Sequence, residues 1–199
     1  MVEDIEYELI ANWVFNGHSL LVFGFYLMES HLYMNLNNLI RRFGFEFCPN
    51  LIMPIGKEDY ESCMHQAFPI DRVFWTITNL HSSIADHMIL KNVAKIAFQS
   101  SCSIECVMNS ELIVSTSEIC SIMKAKGYKK PSGKLVRITE YNKKKKENPP
   151  FIVALKYGKG KIVGIGSWKI FINDFLEDDS LDNKQLFKNT IEWLKPDLK

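Results

Sequence analysis

Apolar positions along the chain follow two rhythms. Residues 3–16 carry Ile5, Leu9, Ile10, Trp13 and Val14, a spacing that predicts an amphipathic helix with this stripe against the core. Glu3, Asp4 and Glu6 suit its first turn, and Gly17 suits its end. "SLLVF" follows as a continuous apolar run, the pattern of a strand covered on both faces, and Gly24 ends it. A second helix is predicted over 32–43, with Leu36, Leu39, Ile40 and Phe43 inward and Gly44 as its stop.

Further along, "FEF", "LIMP", "RVFWTI", "VAKIAFQ", "SIECVM", "ELIVST" and "KLVRIT" read as strands, and "SSIADHMIL" as a turn or short helix. "SEICSIMKAKG" reads as a helix closed by Gly127. "FIVALK" and "KIVGIG" flank Tyr157-Gly158-Lys159-Gly160, a hairpin signal. The last helix is predicted over 182–194, with Leu186, Phe187, Thr190, Ile191 and Leu194 inward. This mixture predicts a single α/β domain over 1–199. Its sheet should be mainly parallel and covered by helices, with an antiparallel C-terminal hairpin portion. The 141–150 stretch is an exposed lysine-rich loop within that domain.

Composition agrees with a folded chain: 47% of residues are apolar and 12% aromatic, too many for a disordered protein. No apolar run reaches the roughly 18 residues that span a bilayer, so no membrane segment is expected. Five scattered cysteines lack metal-type spacing, and the N-terminus is acidic, which together point to free thiols in the cytoplasm. The net charge of +1 hides a segregation: residues 124–161 hold thirteen Lys/Arg against Glu140 and Glu147. Nucleic-acid binding through this region is one reading. A solvated loop and hairpin is preferred, because no aromatic residues interleave the "KKKK" run to stack on bases.

Candidate chemistry is sparse. Cys102 with His81 or His87 would make a cysteine-dependent hydrolase if the thiol and an imidazole met in space. His81, Asp86 and His87, or Cys63 with His65, lack the spacing of a metal knuckle, and no metal or other cofactor is expected. Gly158-x-Gly160 and Gly164-x-Gly166 open no helix and do not form a phosphate loop. Asp178, Asp179 and Asp182 lack the ligand alternation of a calcium loop, whereas Asp182 or Ser180 can cap the final helix. The carboxyl edge of the sheet is where a ligand would bind in an open α/β fold. It would bring together Tyr26, Glu29 and His31, Ser101 after "IAFQ", and Ser167 and Trp168 after "IVGIG". The plainer alternative is that these residues plug the sheet's end.

Three stretches carry a family resemblance: "IANWVFNGHSLLVFGFY", "NLNNLIRRFGFEF" and "VALKYGKGKIVGIGSWKIFINDFLEDDSLDNKQLFKNTIEWL". Together they resemble the class I glutamine amidotransferase-like superfamily in its non-catalytic branch, which includes uncharacterised bacterial and archaeal domains and the N-terminal domain of an intraflagellar transport protein. The resemblance implies a flavodoxin-like layering and a binding or assembly module rather than an enzyme. Catalytic members carry a cysteine on a tight turn whose counterpart here is Gly24-Phe25-Tyr26, where no cysteine stands. Members also begin with a strand–helix–strand unit without a counterpart here. Its absence would leave a sheet edge for a protein partner or a second copy.

Overall fold

The computed structural model describes residues 4–25, 36–54, 75–84, 86–106, 110–116, 120–124 and 146–196. Its strands are β1 (Ser19–Phe23), β2 (Phe45–Phe47), β3 (Asn50–Pro54), β4 (Trp75–Ser82), β5 (Lys95–Gln99), β6 (Ile104–Cys106), β7 (Leu112–Thr116), β8 (Cys120–Lys124), β9 (Lys146–Glu147), β10 (Pro150–Tyr157) and β11 (Gly160–Ile165). A six-stranded sheet runs in the order β1-β11-β10-β7-β4-β5, beside a β2-β6 pair and a β3-β8-β9 sheet.

The main sheet is mixed and mostly antiparallel, which corrects the expected parallel, helix-covered sheet. Among the described residues only β1 and β11 pair in parallel, Ser19 opposite Lys161 through Phe23 opposite Ile165. The pairs β10–β11, β10–β7, β4–β7 and β4–β5 are all antiparallel. The cause lies in the connections. Parallel neighbours need a long crossover, usually a helix, whereas antiparallel neighbours accept short links. β10 and β11 are joined by a tight turn, and β4 and β5 by a segment whose described residues hold the short 3₁₀ turn Met88–Leu90. "SEICSIMKAKG" contributes the strand β8, not a helix. "KLVRIT" lies outside the described residues.

The two faces of the sheet can be followed along β10, where side chains alternate. Ile152 and Ala154 join Phe98, Leu112, Val114, Val163, Ile165, Leu186 and Trp193 in one core. Val153 and Leu155 join Tyr7, Val14, Ile40, Phe45, Phe47, Cys102 and Ile162 in the other. The C-terminal helix (Asn183–Leu194) covers the first face and the N-terminal helix (Asp4–Phe15) the second. Although β5 and β11 stand four strands apart in the order, their ends meet: the Ser167 hydroxyl just after β11 donates to the Gln99 carbonyl at the end of β5. The sheet therefore curls around the first core.

Both terminal helices are rotated relative to the predicted stripes. In the N-terminal helix Tyr7, Ala11 and Val14 are buried, while Ile5, Leu9 and Trp13 face outward. In the C-terminal helix Leu186, Asn189, Thr190 and Trp193 are buried, and Phe187 and Ile191 are exposed. The helix ending at Phe43 keeps its predicted face, with Leu39, Ile40 and Phe43 buried and Gly44 in the left-handed conformation that ends it.

Candidate functional site

Strands β1, β5 and β11 end on the same side of the sheet, and the chain stitches those ends together. The Gly24 N–H donates to the Ile165 carbonyl at 2.7 Å, and the Trp168 N–H returns to the Gly24 carbonyl at 3.2 Å. The Gly166 N–H donates to Phe151 O at 2.7 Å, and its carbonyl accepts from the Cys102 N–H at 2.8 Å. Ser101 O accepts from Ile52 N–H at 2.8 Å, which ties β3 into the same knot. Ser100 adopts a φ of 54°, a left-handed conformation at which β5 stops.

Within this knot the polar side chains serve the backbone. Ser167 is fully buried. Its hydroxyl donates to Gln99 O and accepts from the Lys169 N–H at 3.2 Å, which starts the 3₁₀ turn Trp168–Phe171. Ser101 is fully buried, and its hydroxyl donates to Cys102 O at 3.2 Å. Of the predicted edge residues that are described, only Trp168 reaches solvent, with 49% of its surface exposed. Its ring lies 6.1 Å from that of Phe25, and the Lys169 ammonium sits 5.4 Å above it. Tyr26, Glu29 and His31 lie outside the described residues.

The cysteine reading meets an obstacle at each residue. Cys102 is fully buried in the core under the N-terminal helix, and its thiol donates to the Gly166 carbonyl at 3.4 Å. His87 packs on the opposite face, its ring 5.7 Å from Trp193, and its Nδ1 accepts from the Ile89 N–H at 3.2 Å. His81 lies on β4 opposite Ser115, exposed to solvent. The structure thus does not join Cys102 to His87 as a dyad. Burial pushes the Cys106 thiol above its ordinary pKa, partly offset by a Ser110 hydrogen bond and reinforced by nearby Glu105, which weakens it as a nucleophile. Among the described residues no three His, Cys, Asp or Glu side chains gather as a metal site.

The acidic cluster before the last helix has an architectural role that its sequence did not reveal. Asp182 occupies the N-cap position without capping the helix by its side chain. Instead its carboxylate accepts from the Ala94 and Lys95 N–H groups, both at 2.9 Å, and its own N–H donates to Lys95 O at 2.8 Å. Asn183 accepts from Ala97 N–H at 2.9 Å and donates to Ala97 O at 2.6 Å and Ile170 O at 2.7 Å. Residues 95, 97 and 99 present the outer edge of β5, and Asp182, Asn183 and Ser167 occupy it in turn. Among the described residues no strand pairs with this edge, and three side chains cover it instead. Asp178, fully exposed, is held below the usual carboxylate range by hydrogen bonds from the Ser180 hydroxyl and N–H.

Of the basic 124–161 region, 124 and 146–161 fall within the described residues. Lys156 pairs with Glu111 at 3.3 Å, and Lys159 is exposed. Lys161 turns inward: it is buried, donates to the Lys195 carbonyl at 3.0 Å and lies 5.8 Å from the Trp193 ring. Its charge neutralises the carbonyl end of the C-terminal helix. At least part of the apparent positive surface is thus internal structure.

No protein-family model matches the chain, and no curated protein matches it in sequence. No helix among the described residues is long and apolar enough to cross a membrane. The fold does have solved counterparts. The structure titled mmIFT52 N-terminal domain superposes with a TM-score of 0.66 at 14% identity, covering 100% of this chain and 74% of its own. A cytoplasmic protein, STM1381 from Salmonella typhimurium LT2, superposes with a TM-score of 0.51 at 16% identity, covering 98% of this chain and 62% of its own. At such identities the likeness is one of fold, and the chain shares its fold with the N-terminal domain of IFT52.

Proposed function

We propose that this chain is a non-enzymatic protein-interaction module that engages its partner at the aromatic end of the sheet, around Trp168. One observation carries the reading. Where a catalytic or small-molecule site would stand, Ser101, Cys102 and Ser167 are fully buried and bonded to backbone, while the adjacent large aromatic is half exposed. A tryptophan offered from a rigid knot, with a cation over its face, suits the centre of a protein interface. The resemblance to non-catalytic glutamine amidotransferase-like domains and the fold shared with IFT52 support an interaction role, and a cytoplasmic setting fits the free thiols.

The test is affinity capture from the source cell's lysate by the wild-type chain and by Trp168→Ala, followed by identification and direct binding of the captured protein. Partner binding reduced about tenfold or more by the substitution is expected of an interface anchor. Undiminished binding by the variant would remove Trp168 from the interface. Rapid, selective alkylation of native Cys102 by iodoacetamide would return the hydrolase reading; slow labelling is expected of so buried a thiol.

A further inference from the structure

The N-terminal helix is apolar on two sides, and only one is used. Tyr7, Ala11 and Val14 fill the core. On the opposite side Ile5, Leu9 and Trp13 are 67%, 64% and 47% exposed. The helix cannot roll to bury this stripe. Its last turn is fixed against the hairpin, where a Cβ on Gly160 would lie 2.1 Å from the Val14 carbonyl, and the Lys159 N–H donates to Phe15 O at 2.9 Å. Trp13 is held flat against His18, with ring centroids 4.5 Å apart and planes 1° from parallel, so this anchor is already ordered.

We propose that this stripe is a self-association surface and that its occupant is the same helix of a second copy, packed antiparallel. The spacing 5-9-13 is symmetric about Leu9. A two-fold axis through Leu9 sets each Ile5 against the other copy's Trp13 and Leu9 against Leu9, an isologous contact about 12 Å long. Charge is self-complementary under the same operation. Glu6 flanks the stripe near the helix start, and Lys159 is tied to its end, both exposed, so each acidic start meets a basic finish. Three large side chains uncovered to this degree leave on the order of 350 Å² of apolar surface per copy, so two copies bury roughly 700 Å² before the polar flanks add their share. That lies below the roughly 1,200 Å² of a standard interface, so the dimer is weak and concentration-dependent. This surface lies on the N-terminal helix, whereas Trp168 follows β11, and it goes beyond the partner interface proposed above.

Sedimentation of the full chain across about 5–500 µM is expected to show reversible dimerisation with a micromolar Kd. Leu9→Glu, which places two like charges on the axis, should leave a monomer of unchanged melting temperature. Glu6→Lys and Lys159→Glu should each weaken the dimer at low salt, and the double exchange should restore it. A monomer throughout that range would overturn the proposal, as would a dimer indifferent to Leu9→Glu. Partner capture by the wild-type chain separates the two readings: capture by a chain that stays monomeric keeps the Trp168 interface and removes this one, and dimerisation that Leu9→Glu abolishes, without any capture, does the reverse.

Discussion

A hydrogen atom at Gly166 decides whether the end of the sheet can close. A Cβ there would stand 2.0 Å from the Cys102 carbonyl oxygen and 3.1 Å from the Ser101 hydroxyl. Backbone on that side cannot retreat, because Cys102 N–H donates to Gly166 O and Ile52 N–H to Ser101 O. Gly166→Ala is therefore expected to cost about 3 kcal/mol or more, read as a lowered urea midpoint at unchanged slope. A change of less than about 0.5 kcal/mol would contradict the close approach. The glycines of "GKGKIVGIG" were legible in the sequence as turn and strand-end residues. Their actual partners, Val14 and His18 carbonyls at Gly160 and Cys102 at Gly166, are remote in sequence and left no local mark.

Among elements, the C-terminal helix shows how a correct boundary can conceal the function of its first residues. The pattern placed it at 182–194 and the structure at Asn183–Leu194. Asp182 looked like a cap because Asp at a helix start commonly satisfies orphan N–H groups. It serves β5 instead. Asn183 is fully buried and makes three bonds, whereas those of Asp182 are exposed. Asn183→Ala, which strands a buried donor and two buried acceptors, should cost about 3 kcal/mol, against about 1 kcal/mol for Asp182→Ala. Equilibrium denaturation ranks the two, and the reverse order would contradict the greater weight given to the buried contacts of Asn183. Hydrogen exchange at the Ala97 amide should accelerate in the Asn183 variant.

For the whole molecule, His87 makes stability depend on pH. Burial against Trp193 lowers its pKa from the ordinary value of 6.5; Glu111 opposes that shift and Lys156 adds to it. The folded state thus prefers the neutral ring, whose Nδ1 accepts from the Ile89 N–H. Above 6.5 the preference costs nothing, since the unfolded ring is neutral as well. As pH falls from 6.5 toward the lower folded pKa, the unfolded state binds the proton first and stability declines. Chemical denaturation between about pH 7.5 and 5 should show this decline, and His87→Gln should flatten that part of the slope. An unchanged slope in the variant would assign the effect to other groups.

The sequence by itself determined most of the elements. Strong periodicity, left-handed glycine stops and the Tyr157–Gly160 turn are local signals, and they correctly placed the terminal helices, the helix ending at Gly44 and strands such as β1, β5, β7, β10 and β11. Tertiary structure decided strand direction, helix rotation and the employment of each polar side chain. An apolar run looks the same in a parallel or an antiparallel sheet, so short links such as β4–β5 and β10–β11, not the strands themselves, set the antiparallel pairing there. A helix with two apolar sides has no preferred face until Gly160 and Val14 meet. Ser167, Asp182 and Asn183 found their roles only when the curl of the sheet brought the edge of β5 to them, across 68 to 88 residues of chain.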